Sequence, residues 1–105
     1  MTEFIIIFST VSRREEAEKI AKSLIGKRLA ACVNILDGMT SVYEWKNELC
    51  TENEVLMIIK SRKSLFEDIK NEILSLHTYE LPEIISFPIS EGLPAYLDWI
   101  EKNTI

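Results

Sequence analysis

The sequence predicts an α+β fold in which helices cover one face of an antiparallel β-sheet. Three observations predict it: two long β-branched runs flank a short polar turn, two stretches have the apolar periodicity of amphipathic helices, and these elements alternate along the chain. With 105 residues the chain is long enough for one two-layer domain and too short for two cores. No linker, low-complexity tract or internal repeat interrupts it, so we expect a single domain over residues 1–105.

The chain begins with a predicted strand and a predicted helix. Residues 4–8 are continuously apolar, which is typical of a strand in the middle of a sheet or buried on both faces. Ser12 and Glu15 have the spacing of a capping box, in which each side chain bonds a backbone N–H at the start of a helix. Apolar residues follow at helical spacing, and these signals together predict a helix over about residues 13–27.

Residues 30–61 predict a long antiparallel hairpin around which the other elements are arranged. Two apolar, β-branched arms flank the polar tip Trp45-Lys46-Asn47-Glu48. The arms are about fourteen residues each, which is roughly 45 Å at about 3.3 Å per residue. A single domain of this size cannot cover such a ribbon, and an uncovered apolar edge would aggregate. We therefore expect another copy of the chain to cover the outer half of the hairpin.

The first arm of the hairpin contains a second turn signal. Asp37-Gly38, taken alone, is the strongest two-residue turn signal in the sequence. A meander that turns there is therefore an alternative to a bulge or bend. We prefer the bulge, because the arms that flank Lys46-Asn47 are longer.

The register of the hairpin decides how the two cysteines lie. A turn centred on the tip places Cys50 opposite Tyr43 and Cys32 opposite Ser61. The two thiols are then roughly 35 Å apart along the ribbon, too far for a disulfide within one chain. A bulge in the first arm would shift the pairing of Cys32 by one residue. We expect both cysteines to be free thiols.

The second half of the chain repeats the alternation. Ser64 and Glu67 form a second capping box before an amphipathic helix that ends near His77. Residues 84–87 predict a short strand, and Pro94 opens a last helix. The order βαββαβ with a C-terminal helix is the split βαβ, or ferredoxin-like, arrangement with helices on one face of the sheet. The other face needs a cover, which is a second reason to expect an oligomer.

Composition and charge exclude several classes of function. The net charge of −5 and the scattered basic residues argue against a nucleic-acid partner. The longest apolar run is too short to span a membrane, and the first residues lack the basic region of a secretory signal, so we expect a cytoplasmic protein without a membrane partner. Acidic residues collect around the hairpin tip, a patch that attracts cations or only protects the edge: Glu44, Glu48, Glu52 and Glu54.

Few residues remain that could carry chemistry. The chain has no phosphate loop, no nucleophile elbow, no HExxH motif and no set of four zinc ligands. Cys32 is either a small buried hydrophobe or a thiol ligand, and His77 either caps a helix end or binds a ligand. The split βαβ topology places these two at opposite ends of a helix of about 20 Å, so they could cooperate only between subunits. We find no nucleophile beside a base, and we therefore expect no catalytic residues and no enzyme.

Three runs of the sequence carry a family resemblance. They are RLAACVNI over residues 28–35, SVYEW over residues 41–45 and HTYELPEII over residues 77–85, joined by Tyr96 and Trp99 in the last helix. In order and spacing they resemble the CutA divalent-cation tolerance proteins over essentially the whole chain. The resemblance implies a ferredoxin-like subunit in a cytoplasmic homotrimer whose long hairpins pair across subunits. It also implies a link to copper and other divalent cations, without an obligatory cofactor.

The resemblance assigns expected roles to individual residues. Cys32 matches the thiol of the family's AAC motif, a proposed metal ligand, and with it we group two further expected metal ligands, His77 and Glu83. The residues expected in a ligand cleft between subunits are Trp45, Lys60, Tyr79, Glu80 and Trp99. Ser9 stands where some members have a cysteine, which removes one soft ligand.

Two functional hypotheses follow from these residues. The first is a trimeric protein of divalent-cation tolerance that binds copper through soft and imidazole ligands. The alternative rests on the resemblance of the CutA trimer to the PII signalling proteins. It is a PII-like module that holds a small anion or metabolite in the inter-subunit cleft.

Overall fold

Four strands and three α-helices follow one another along residues 1–105, all of which the computed structural model describes. They are β1 (Phe4–Val11), α1 (Arg14–Gly26), β2 (Cys32–Trp45), β3 (Glu48–Arg62), α2 (Phe66–Leu76), β4 (Ile84–Pro88) and α3 (Pro94–Lys102). The strands form one antiparallel sheet in the order β2-β3-β1-β4. The predicted α+β fold, with its βαββαβ order and C-terminal helix, is confirmed. None of the helices has the length and apolar character needed to cross a membrane.

The hydrophobic core lies between one face of the sheet and the helices α1 and α2. Successive side chains of a strand point to opposite faces, so every second residue of β1 and β3 enters the core. The fully buried apolar residues there are Ile7, Val11, Ala17, Ile20, Leu24, Met57, Ile59, Ile69 and Ile73. We call the other side of the sheet the open face.

Helix α3 changes one expectation about this open face. Lys60 alternates with the buried residues Ile59 and Ser61 and therefore points to the open face. Its Nζ lies 3.4 Å from Tyr96 Oη on α3. The expectation that all helices lie on one face is therefore wrong for α3, which covers the open face near the end of β3. The rest of that face carries no helix.

The hairpin formed by β2 and β3 has the predicted length and tip. Its strands contain 14 and 15 residues. Lys46 and Asn47 form the two-residue turn with φ of 51° and 68°. Positive φ at both central residues is what a type I′ turn requires, and that turn matches the twist of the flanking strands. The predicted pairing of Tyr43 with Cys50 is confirmed.

A β-bulge interrupts the first arm at Asp37-Gly38, where two residues of β2 stand against one of β3. Gly38 has φ of 80°, a backbone conformation that glycine adopts without a steric penalty. The preferred bulge is thus confirmed over the meander. Because the bulge shifts the register, Cys32 lies opposite Lys60. The predicted pairing of Cys32 with Ser61 is wrong by one residue, and Cys32 shares the open face with Lys60.

Neither predicted capping box forms. Helix α1 begins at Arg14 and has Arg13 at its N-cap, so Ser12 lies one position too early to cap it. A 3-10 turn over Lys63–Leu65 precedes α2 and takes up Ser64. No N-cap side chain makes a capping hydrogen bond in either helix. The helices themselves lie where periodicity predicted them, so burial of their apolar faces, and not capping, decides their position.

Candidate ligand cleft

A cleft of about 390 Å³ lies between the hairpin and the loop that follows α2. On the hairpin it is lined by two aromatic and two acidic side chains, Tyr43, Trp45, Glu52 and Glu54. Residues 79–81 and Glu83 of the loop line the opposite side, and Thr10 of β1 lies between them. The cleft therefore combines residues from three segments that are far apart in the sequence.

His77 fixes the start of the loop that follows α2. It is the C-cap residue of α2, and its side chain is fully buried. Its Nδ1 accepts a hydrogen bond from the Tyr79 backbone N–H at 3.1 Å, so its Nε2 carries the proton and donates to Thr10 O at 2.7 Å. Both ring nitrogens of this neutral imidazole are used. His77 thus ties the start of the loop to the end of β1.

A carboxylate lies beside the same ring. Glu16 Oε1 is 3.7 Å from His77 Nδ1 and has no hydrogen-bond partner, whereas Glu16 Oε2 accepts the Thr78 hydroxyl at 2.9 Å. The Nδ1 lone pair is already occupied by the N–H of Tyr79, so Glu16 does not bond the imidazole. It anchors the loop through Thr78 instead.

Two phenols bind the carboxylates of β3. Tyr79 Oη donates to Glu54 Oε2 at 2.7 Å, and Tyr43 Oη donates to Glu52 Oε1 at 2.8 Å. The hydrogen bond to Glu52 is the main cause that raises the pKa of Tyr43 to about 12. Burial, followed by the hydrogen bond to Glu54, raises the pKa of Tyr79 above its usual value. Both phenols therefore keep their protons at neutral pH and give them to the carboxylates.

Glu83 is the third carboxylate of the cleft. Burial, and next the neighbouring charge of Glu54, raise the pKa of Glu83 above its usual value. None of the salt bridges in the structure involves Glu52, Glu54 or Glu83. Lys46 Nζ lies 3.4 Å from Glu80 Oε2 and 5.7 Å from the centre of the Trp45 ring. Glu52, Glu54 and Glu83 have no such cationic partner within the chain.

The structure divides the residues expected in the ligand cleft into two groups. Those that line the cleft are Trp45, Tyr79 and Glu80. Lys60 and Trp99 lie elsewhere and both contact Tyr96. Lys60 Nζ is 5.6 Å from the centre of the tyrosine ring, and the Trp99 ring stacks on that ring at 5.5 Å. Without Lys60 the cleft has no basic lining, so its geometry does not favour the small-anion alternative.

The residues expected to bind metal are not brought together within one chain. Cys32 lies level with Lys60 on β3, whereas His77 contacts Thr10, which lies level with Leu56. Four residues of β3 separate these positions, roughly 13 Å at about 3.3 Å per residue. Glu83 lines the cleft, away from Cys32. No group of three or more His, Cys, Asp or Glu side chains is placed to hold a metal ion.

The cleft contains residues that had no site role in the sequence-based expectations. Glu52 and Glu54 belong to the predicted acidic patch, but only these two of its four members line the cleft. Only their spacing in the sequence could have indicated a shared site. Glu52 and Glu54 are two residues apart on β3 and therefore point to the same face as Leu56 and Ile58. Their phenol partners could not be read from the sequence, because Tyr79 bonds a residue 25 positions away.

Comparison with known protein sequences identifies the family. Residues 5–103 match the family model described as CutA1 divalent ion tolerance protein. The divalent-cation tolerance protein CutA of Thermus thermophilus is 44% identical over 99 residues, which are 94% of this chain and 96% of that protein. The chloroplastic protein CutA of Arabidopsis thaliana is 42% identical over 95% of this chain. The chain spans about half, 55%, of the length of that plant relative.

Solved structures give the same answer for the fold. The divalent cation tolerance protein Cut A1 from Thermus thermophilus superposes with a TM-score of 0.92 and 43% identity over 99% of both chains. CutA1 from Oryza sativa superposes with a TM-score of 0.95 and 39% identity over 98% of this chain and 94% of that one. The resemblance noted in the sequence is confirmed. The chain therefore belongs to the CutA1 divalent ion tolerance protein family.

Proposed function

We propose that this protein acts in divalent-cation tolerance as a homotrimer, and that its interaction with copper uses Cys32. Family membership supports the role in cation tolerance, because relatives such as that of Thermus thermophilus carry this name. The observation that carries the proposal is the apolar surface left exposed along the hairpin and the open face. The copper interaction rests on the chemistry and position of one thiol.

The exposed apolar surface supports association of copies of the chain. It comprises Leu36, Ile85 and Phe87 on the open face, and Val42 and Leu49 on the opposite side of the outer hairpin. Leu49 is 79% exposed and Val42 is 64% exposed, although both lie in regular strands. Large contiguous apolar patches are rare on monomeric proteins and mark interaction surfaces. The number of three subunits is what the resemblance to the CutA proteins implies.

Cys32 supplies the soft ligand for copper. Its half-buried thiol lies on the open face, and its one hydrogen-bond contact is Asn34 Oδ1 at 3.8 Å. Thiolates are preferred ligands of Cu(I). The residues of one chain do not fit a copper centre made of Cys32, His77 and Glu83, because the three lie apart and both nitrogens of His77 are hydrogen-bonded. A trimer would supply three copies of Cys32, and we propose that these thiols are the copper ligands.

The cytoplasm is the compartment we assign to this function. Both cysteines are free thiols, which a reducing compartment protects from oxidation and from disulfides between copies of the chain. Relatives are named from other places: the Arabidopsis protein is chloroplastic, and the structure from Archaeoglobus fulgidus is described as periplasmic. Fractionation of the source cells, followed by detection of the protein in the soluble cytoplasmic fraction, tests the assignment.

The oligomeric state can be measured by sedimentation of dilute protein. We expect a mass three times the 12.1 kDa of the chain. Val42→Lys places a charge in the apolar surface and should shift the mass towards that of the single chain, because a buried unpaired charge opposes association. Lys22→Glu on the exposed side of α1 is the control and should leave the mass unchanged. A folded species of 12.1 kDa for the unmodified protein would contradict the proposal.

The role of Cys32 can be tested by Cu(I) titration in competition with a chromogenic chelator, without oxygen. Cys32→Ser should lower the affinity at least about tenfold, since loss of even an outer-shell partner commonly weakens a metal site by that factor. Cys50→Ser is the matched control, because Cys50 is the second free and half-buried thiol of the chain. Equal affinities of the unmodified protein and Cys32→Ser would remove Cys32 from the copper interaction.

A further inference from the structure

Glu54 brings a buried negative charge to the cleft that no group of the chain neutralises. The residue is 8% exposed, accepts one hydrogen bond from Tyr79, and takes part in no salt bridge. An unpaired buried charge is costly, because the interior replaces the solvation by water only in part. Glu52 and Glu83 line the same cleft and are also unpaired. A cation that enters the cleft therefore gains the attraction of three carboxylates.

Aromatic rings form the other part of the lining. Tyr43, Trp45 and Tyr79 all line the cleft, and their ring faces carry the negative end of the aromatic quadrupole. Such faces attract organic cations, and Trp does so most strongly. The aromatic and acidic residues thus favour the same kind of ligand independently of each other.

The dimensions of the cleft favour an organic cation over a bare metal ion. Ca²⁺ and Mg²⁺ need about six to eight oxygens at about 2.0–2.6 Å. No three acidic, His or Cys side chains of the chain are placed to hold such an ion. The volume of about 390 Å³ falls within the range of about 300–1,000 Å³ typical of small-molecule sites.

The hydrogen-bonding groups of the lining further restrict the class of ligand that the cleft can bind. Tyr43 and Tyr79 give their phenol protons to Glu52 and Glu54, so their oxygens can only accept further hydrogen bonds. Carboxylates also only accept. A ligand that bonds these phenols and carboxylates must donate hydrogen bonds, which a quaternary ammonium group cannot do.

We propose that the cleft formed by the hairpin and the loop of residues 79–83 binds a small organic cation with N–H donors, an aliphatic amine or a guanidine. The ammonium or guanidinium group lies between Glu54 and Glu83, and its carbon skeleton packs on Trp45 and Tyr79. This function goes beyond the proposed role in cation tolerance and does not depend on Cys32. The same chemistry is carried by a Lys or Arg side chain of another copy of the chain, and the experiment separates that source from a free ligand.

The binding of free amine can be followed through the fluorescence of Trp45. The variant Trp99→Phe removes the second tryptophan, which lies on α3 and does not line the cleft. The full-length protein, in the assembly that it forms, is titrated with 1,4-diaminobutane and with methylguanidine. We expect saturable binding of at least one of them. The matched neutral probe 1,4-butanediol should not bind, because it has the length of the diamine without its charges.

Glu54→Gln tests the central charge while keeping the fold. The Gln side-chain oxygen can still accept the hydrogen bond of Tyr79, so the loop keeps its anchor. We expect the dissociation constant to rise about tenfold or more. Trp45→Leu, followed by calorimetry, should weaken binding about threefold to tenfold. The control is Glu44→Gln, which changes the net charge equally at a residue outside the cleft and should leave binding unchanged.

Three results would overturn the proposal. One is the absence of saturable binding of both cations. The second is equal affinity of the unmodified protein and Glu54→Gln, which would show that the cleft is not the site. The third is a crystal structure of the assembled protein in which a Lys or Arg of a neighbouring copy occupies the cleft. None of these results depends on copper binding, so the two proposals fail separately.

Discussion

The two faces of the sheet contain similar apolar residues but bury them to different extents. On the helix-covered face Ile7, Met57 and Ile59 are completely buried between the strands and two helices. On the open face, Leu36 and Ile85 are 48% and 53% exposed. The amino-acid types alone do not explain this contrast, because both sets have the composition of a core. One face is complete within the chain, and the other needs a partner to be complete.

The two faces also differ in where they obtain their stability. Burial of apolar area stabilises the helix-covered face in every copy of the chain. Burial of the open face depends on association, and association depends on protein concentration. Substitutions on the two faces should therefore differ in size and also in their dependence on concentration.

The largest effect should come from Ile73→Ala in α2. Ile73 is fully buried in the core, so its truncation should lower the free energy of unfolding by about 2–5 kcal/mol. Urea unfolding measures this loss, which should remain the same when the protein is diluted. Ile85→Ala is the matched test on the open face, and its effect should grow on dilution if copies of the chain cover Ile85. An effect of Ile85→Ala that does not vary with concentration would break the comparison.

The next effect concerns the loop that forms the cleft. Tyr79→Phe removes the only hydrogen-bond donor to the buried carboxylate of Glu54. An unsatisfied buried acceptor costs about 1–3 kcal/mol, so the free energy of unfolding should fall by that amount. Tyr43→Phe is the control, because it removes a similar bond to the exposed Glu52 and should have little effect. Equal losses in the two variants, measured by urea unfolding, would show that burial of Glu54 is not what makes the contact important.

The strands, helices and hairpin turn could be predicted from the sequence, but the cleft could not, and the reason is physical. Apolar periodicity and the polar tip at Lys46-Asn47 are local signals, and they predicted strands, helices and turn. The bulge at Asp37-Gly38 was also local, but its shift of Cys32 by one residue follows from the pairing of two strands. The cleft depends on contacts between distant segments, such as that of Tyr79 with Glu54, and no local pattern encodes them.

The smallest effect is a contrast in pH dependence between two carboxylates. Glu72, in the helix layer, accepts hydrogen bonds from the Lys27 ammonium and from the Ser23 hydroxyl, and these bonds lower its pKa, that of Lys27 most. In the cleft, burial and next the charge of Glu54 raise the pKa of Glu83. Glu72 therefore contributes stability above its ordinary pKa, and this contribution is lost as the pH falls through the lowered value. Glu83 has the opposite sign, because its raised pKa makes the ionised folded form less favourable. This penalty disappears on acidification, as the pH falls from the raised pKa of Glu83 in the folded protein to the ordinary pKa of a glutamate in the unfolded chain.

Two substitutions measure this contrast. Glu72→Gln should lower the free energy of unfolding at pH 7 and have little effect at about pH 3, where carboxylates are mostly protonated in the unfolded chain. Glu83→Gln should raise it at pH 7, and the gain should disappear on acidification. Both values come from urea unfolding at the two pH values under matched salt. A loss of stability in Glu83→Gln at pH 7 would mean that a cation already neutralises this carboxylate in the assembled protein. The cleft would then be complete in the assembly and no longer comparable with the unpartnered open face.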